Sequence, residues 1–359
     1  MTGNGHASLL ERRIMNFRVF LIAALAVIAF GFFACGNDNN VNDLINVEID
    51  MARIPPAGTS APFTFTMGSP EGEAAVELDR GEQPQRLVTL TGFRMGKFLI
   101  TQGQYRAVMK KNPSNFQGKK TLPDGTNILD GVNTDMLPVE QVTWYEAVEF
   151  CNRLSEIHGL TPAYNIDKDT RDPFNMNPNS ADPKWTVTLR AGSGYRLPTE
   201  AQWEYACRAG LGSDLPFNTG KTITTDQANF NGVPFIQGDP YGKDMMRTTV
   251  VGSYDPNAWG LYDMHGNVYE LCWDRIWQPT PSLPNIYDNY YLETHSPGNL
   301  TDPQGLLRGD RRVIRGGSWR HQPGRLRSAY RERIQPHDRK YGNGDMGFRV
   351  TLPLEDSTW

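Results

Sequence analysis

The sequence predicts an α+β domain rich in loops, with two main helices set among small antiparallel sheets. Three observations predict it. The 359 residues include 35 Gly and 25 Pro beside 8 Trp and 14 Tyr, with only 38% hydrophobic residues, a composition of turns and aromatic anchors rather than long helices. Two segments carry an apolar stripe at helical spacing between start and stop signals. Several short segments alternate or cluster apolar residues as strands do.

In chain order, Arg86 to Phe98 reads as strand, and Thr101 to Lys110 as a short helix with Tyr105 and Val108 inward. From Trp144 to His158, the residues Tyr145, Val148, Phe150, Cys151 and Leu154 form an apolar stripe. Thr143 is its N-cap, Glu146 closes a capping box three residues on, and Gly159 stops it. The second main helix runs from Pro198 to about Ala209, with Thr199 as cap and Gln202 completing the box. Its buried face is Trp203, Ala206 and Cys207, and Gly210 ends it. Arg312 to Trp319 and Gly347 to Leu352 read as strands. The stretches 165–185, 211–245 and 277–310 are rich in Asn, Asp, Pro and Gly and read as loops suited to binding. There is no internal repeat.

The front of the chain has a different character. From Met15, Asn16, Phe17 and Arg18 it runs into an unbroken apolar segment, Val19 to Ala34, that ends at Cys35. A short positive start, an apolar core brief for a membrane span and a small residue before the cut make a secretory signal over 1–35. A cysteine directly after that small residue resembles the lipidation site of bacterial lipoproteins, although Phe32 and Phe33 are bulkier than is usual there. A signal anchor with an incidental cysteine is the competing reading. Gly36-Asn37-Asp38-Asn39-Asn40 opens a flexible tether over 36–45, and 46–359 is then one domain with no second linker. The expected location is the bacterial cell envelope, lipid-anchored at the outer membrane surface or in the periplasm. A formal net charge of −4 gives no global field for nucleic acid. Besides Cys35 there are only Cys151, Cys207 and Cys272, an odd number with no zinc spacing, best read as buried free thiols.

Several phrases recur in a fixed order: Phe65-Thr66-Met67-Gly68-Ser69, Phe93-Arg94-Met95-Gly96-Lys97, Asn112-Pro113-Ser114 and Pro138-Val139-Glu140-Gln141-Val142-Thr143-Trp144. The block Tyr195-Arg196-Leu197-Pro198-Thr199-Glu200-Ala201-Gln202-Trp203-Glu204-Tyr205-Ala206 is the most specific. After it come Gly260-Leu261-Tyr262-Asp263-Met264, Gly266-Asn267-Val268-Tyr269-Glu270, Arg315-Gly316-Gly317-Ser318-Trp319, Arg327-Ser328-Ala329 and Gly347-Phe348-Arg349. Over nearly all of 54–353 this series resembles the formylglycine-generating-enzyme, or sulfatase-modifying-factor, domain. The resemblance implies a C-type-lectin-like fold. The family holds oxidases, iron-dependent relatives and non-enzymatic lipoproteins, so fold does not settle function.

In the oxidases, copper sits between two cysteines shortly after the Arg-Gly-Gly-Ser turn, where soft thiolates bind Cu(I). Here the interval reads Trp319-Arg320-His321-Gln322-Pro323-Gly324-Arg325-Leu326 and holds no cysteine, so copper is not expected and the reading leans away from an enzyme. His321 alone is more often an ordinary polar contact than a ligand. The iron-dependent branch would need a histidine-rich helical domain, and none of the six histidines lies at metal-ligand spacing from another. The family's calcium sites match Asn267, Val268 and Glu270, with a second loop supplied by Asn229, Asp239 and Tyr241, so a structural Ca²⁺ is the cation the resemblance implies. In the competing reading, Asn267 only turns the chain and Glu270 pairs with an arginine.

Between Trp319 and Asp345 stand Arg320, His321, Arg325, Arg327, Tyr330, Arg331, Arg333, His337, Arg339, Lys340 and Tyr341, residue types that make strong interface contacts. Tyr269 and Leu271, where the family has tryptophans around the Glu, depart from the pattern with them. The expected ligand-binding face is Tyr269, Leu271, Trp319, Arg320, His321, Gln322, Arg325, Leu326, Tyr330, Glu332, Arg333, His337 and Tyr341, facing a protein or glycan ligand at the cell surface from a monomer. A solvated basic surface is the competing reading. The layout of signal, tether and one family domain with late departures is also similar to the variable lipoproteins of diversity-generating retroelements. An enzyme with an unrecognised site and a structural subunit of an envelope complex are the alternatives in function.

Overall fold

Three helices begin in the same way. Thr101, Thr143 and Thr199 are each extended N-caps whose side chain accepts the N–H three residues on, while Gln104, Glu146 and Gln202 reach back to the cap's own N–H. The helices are α1 (Gln102–Met109), α2 (Trp144–Ile157) and α3 (Glu200–Arg208). The computed structural model describes residues 47–354 apart from 59–61, 76–80, 176–178, 180, 277–299, 307 and 340–343. The signal, the tether, Cys35, Lys340 and Tyr341 therefore lie outside the described residues. Ile45–Trp359 forms one unit.

Around the helices lie short strands: β1 (Met51–Ile54), β2 (Phe63–Met67), β3 (Arg86–Leu90), β4 (Phe93–Gly96), β5 (Tyr164–Arg171), β6 (Trp185–Leu189), β7 (Tyr269–Ile276), β8 (Leu300–Thr301), β9 (Arg311–Arg315), β10 (Glu332–Ile334), β11 (Met346–Gly347) and β12 (Thr351–Pro353). They pair in the orders β1-β4-β12, β10-β9-β7-β11 and β2-β3-β8, with β5-β6 as a separate pair. Two departures from the sequence expectation follow. The sheets are mixed, because β11 runs parallel to β7 and β8 parallel to β3. The stretch 165–185, expected as loop, holds β5 and the start of β6, whose polar residues Asn165, Asp167 and Lys168 occupy a largely exposed ribbon.

The sheet β10-β9-β7-β11 divides the core. Along β7, Tyr269 and Leu271 face the cluster that contains Tyr105, Trp144, Phe150 and Phe348, whereas Cys272 and Ile276 face the one with Phe93, Trp203 and Val88. Ile314 and Val313 of β9 split in the same way, as the two-residue period of a strand requires. Burying each large side chain contributes roughly 1.5–3 kcal/mol.

Candidate functional site

The C-terminal candidate face is built on the turn that leaves β9. Gly316 and Gly317 both have positive φ, +88° and +71°. A Cβ on Gly317 would lie 2.6 Å from Leu326 Cδ1 and 2.9 Å from the Arg325 carbonyl, so only glycine fits. Beyond the turn, the Trp319 N–H donates to the Asn267 carbonyl at 3.0 Å and the indole Nε1 donates to the Gly344 carbonyl at 3.0 Å. The Trp319 ring meets Phe116 edge-on. Ser318 Oγ and His321 Nδ1 are 2.6 Å apart, and the imidazole packs edge-on against Tyr269.

Buried arginines then pin the segment to earlier parts of the chain. Arg315 Nη2 donates to Glu204 Oε2 at 2.6 Å. Arg327 donates to both oxygens of Glu82, at 2.6 and 2.9 Å, and to Glu73 Oε1 at 2.6 Å. Arg331 forks onto Glu200 at 2.6 and 2.7 Å, and Arg349 onto Glu270 at 2.6 and 2.8 Å. Such paired, bidentate geometry is what lets a charge be buried. Arg327 and Arg331, which belong to the arginine- and tyrosine-rich stretch but not to the expected face, are thus interior supports.

Burial sorts the rest of the expected face. Tyr269, Leu271, Leu326, Tyr330 and Glu332 are buried. The alternation of β7 sends Leu271 into the core, and Leu326 packs with Phe217, Ile223 and Phe230. Tyr330 donates to Glu332 at 3.2 Å, and Arg325 approaches the same carboxylate at 3.7 Å. These five side chains support the face rather than form its surface. Trp319, His321, Arg325, Arg333 and His337 are half-buried, and Arg320 and Gln322 are exposed with no side-chain hydrogen bond among the described residues. His337 lies instead beside Asp182 at 3.8 Å and Asp338 at 3.6 Å. Burial, helped by Arg325 and Arg320, lowers His321 to about 3, so its imidazole is neutral at physiological pH.

Cys151, Cys207 and Cys272 are all buried and free. Burial raises all three thiols, that of Cys207 to about 12, so none is a thiolate near neutral pH. Cys207 Sγ is 3.8 Å from His265 Nε2, but that nitrogen already accepts the Asn218 N–H at 3.0 Å, and Nδ1 lies 2.7 Å from the Leu326 carbonyl. His265 is lowered to about 4 by burial and is neutral.

The two loops expected to hold calcium differ. Asn267, at φ +61°, spends its side chain on the Thr249 backbone, at 3.0 and 3.2 Å, and on Asp263 and Asn229, both at 3.4 Å. Val268 is buried beside Leu99, and both oxygens of Glu270 receive Arg349. In the other loop, Asn229 is buried and its Oδ1 has no hydrogen-bond partner, a carbonyl-type oxygen suited to a hard cation. Asp239 and Tyr241 are exposed and line a cleft that also includes Phe230. Among the described residues no group of three or more His, Cys, Asp or Glu side chains is placed to hold a metal.

Sequence reasoning missed two features. One is the set of arginine clamps on Glu82, Glu200 and Glu204, whose signal lay in Glu200 and Glu204 on α3, whereas the pairing of Glu270 with an arginine was the competing reading of the calcium turn. The other is a pair of clefts between residues 218 and 265, which depend on how the long loop folds back.

Residues 57–353 match the sulfatase-modifying factor enzyme 1-like domain. The chain is 34% identical over 286 residues to "Chaperone protein LppX" of Paenibacillus barcinonensis, covering 74% of this chain and 84% of that protein. It is 28% identical to the formylglycine-generating enzyme of Thermomonospora curvata over 71% of this chain and 80% of that one. Among solved structures, Treponema denticola variable protein 1 superposes with a TM-score of 0.58 at 28% identity, covering 84% of this chain and 94% of that one. The loop-rich arrangement of small sheets and capped helices is that of the formylglycine-generating-enzyme, C-type-lectin-like fold, and the chain belongs to the sulfatase-modifying factor enzyme 1-like family.

Proposed function

We propose that this protein is a lipid-anchored ligand-binding protein of the bacterial cell envelope that uses the sulfatase-modifying scaffold to present a C-terminal face to a protein or glycan. One observation carries the reading. The backbone from Gly316 to Ile334 is held by buried pairs, Arg315 with Glu204, Arg327 with Glu82 and Arg331 with Glu200, while Arg320 and Gln322 stand exposed at its crest. A loop fixed from below tolerates changes in its outward side chains, which is what a variable binding surface needs. Similarity to the Treponema denticola variable protein supports the same reading. Sequencing the locus in sibling isolates tests it: variation confined to outward positions such as Arg320 and Gln322 is expected, and an invariant 319–345 stretch removes the variable-protein reading. Incubating the protein with a sulfatase-type cysteine peptide, copper and oxygen tests the enzyme alternative, in which formylglycine would appear in the mass spectrum.

A structural calcium ion is the second reading, favoured by the buried, unpartnered Asn229 Oδ1 near a loop that carries Asp239. Asn229, Asp239 and Tyr241 would hold it and clip the loop to the domain. Calcium added to chelator-treated protein is then expected to raise Tm, and Asn229→Ala is expected to abolish the rise.

A further inference from the structure

Two clefts open side by side and share Asp226 as a wall. The first, of about 680 Å³, is apolar, with Phe230, Val233, Pro234, Phe235, Pro240 and Tyr241 around it. Two of its three lining threonines are engaged: Thr224 Oγ1 donates to Gln227 Oε1 at 3.3 Å, and Thr225 Oγ1 accepts the Lys243 N–H at 3.0 Å. The second, of about 700 Å³, carries Asp226 and Asp255 at its rim and the buried Asp263 in its floor. Burial raises Asp263 to about 6. Among the described residues neither cleft has a Lys or Arg in its lining, and His265 in the acidic one is neutral. Lys221 and Lys243 stand near in sequence but line neither, and Arg247, near enough to act on Tyr254, is the cation that flanks the acidic cleft.

The long loop that forms the first cleft also carries exposed apolar side chains: Tyr241, in the lining, is 77% exposed, and Ile236 and Met246 are 50% and 44% exposed. Exposed apolar side chains on a loop that lines an apolar cleft favour contact with a partner.

We propose that the paired clefts bind an extended polypeptide segment of a partner protein in which a Lys or Arg neighbours apolar residues. The apolar side chains sit between the rings and prolines of the first cleft, and the cation enters the second, where it meets Asp226 and Asp255. Charge complementarity selects the cation, because Asp226 and Asp255 stand exposed at the rim of a cleft with no Lys or Arg among its described lining residues. This site is separate from the C-terminal face and stands or falls independently of it.

The test uses the full chain on an array of random short peptides and, in parallel, on a glycan array. Peptides enriched in Lys or Arg beside Leu, Ile, Phe or Pro are expected, and the best of them is then measured in solution. Asp226→Asn with Asp255→Asn is expected to weaken that peptide about tenfold, and added salt should weaken it as well. Ile236→Ser, next to the lining Phe235, should weaken it without moving Tm, since the Ile236 side chain is exposed. Hydrogen exchange should show protection within 222–242 on binding. Enrichment of acidic peptides, binding of glycans alone, unchanged affinity in the aspartate variants, or protection at 319–339 instead would each overturn the proposal.

Discussion

Arg327 and Arg320 are seven residues apart and have opposite roles. Arg327 is fully buried with Glu82, Glu73 and the Ala75 carbonyl around its guanidinium. Replacing it with Met leaves buried carboxylates uncompensated, and chemical denaturation should show a loss of about 3–5 kcal/mol. Arg320→Ala should change stability by no more than about 0.5 kcal/mol while reducing ligand binding. Glu140 supplies a pH signature. Its Oε1 accepts the Phe116 N–H at 2.8 Å, its Oε2 is buried with no hydrogen-bond partner among the described residues, and burial raises its carboxyl from 4.5 to about 7. A carboxyl raised in the folded state binds protons more readily there than in the unfolded chain. Its contribution is therefore complete below pH 4.5 and lost as pH rises through about 7. Glu140→Gln removes that term, so its stability relative to the natural protein should improve between pH 5 and pH 8 in denaturation curves. A relative stability that stays flat across this range would show that Glu140 titrates normally.

The helices were the most legible elements. Thr143 with Glu146 and Thr199 with Gln202 are local signals, and the structure places both caps and both boxes on those residues. Thr199→Ala should accordingly cost about 1 kcal/mol, read from the denaturation midpoint. Strands were less legible, because their stabilisation comes from partners distant in sequence. β7 pairs with β9 about forty residues later, and the polar β5 shows its identity only against β6. The turn after β9 is an exception, since the consecutive glycines Gly316 and Gly317 mark a positive-φ corner. Gly317→Ala adds a methyl group against Leu326 and the Arg325 carbonyl, and roughly 3 kcal/mol of destabilisation is expected in thermal unfolding.

Across the molecule, the family was readable from ordered phrases such as Arg196-Leu197-Pro198-Thr199-Glu200, whereas the site was only partly readable. A run of arginines and tyrosines looks alike in sequence whether it faces solvent or the core. Only the long-range pairs, with Glu82, Glu200 and Glu204 far upstream, separate Arg327 and Arg331 from Arg320. The clefts around Asp226 left no mark of their own, because Phe230, Tyr254 and Asp263 come together only when the loop closes.

Those same long-range pairs set an order on the life of the chain. Glu82, Glu200 and Glu270 are all synthesised before Arg327, Arg331 and Arg349, which pair with them inside the fold. Until the last of these leaves the ribosome, closing the interior would strand carboxylates away from water. A nascent chain built in this way favours staying open until translation ends. A fragment ending at Asp310 should therefore show no cooperative unfolding transition.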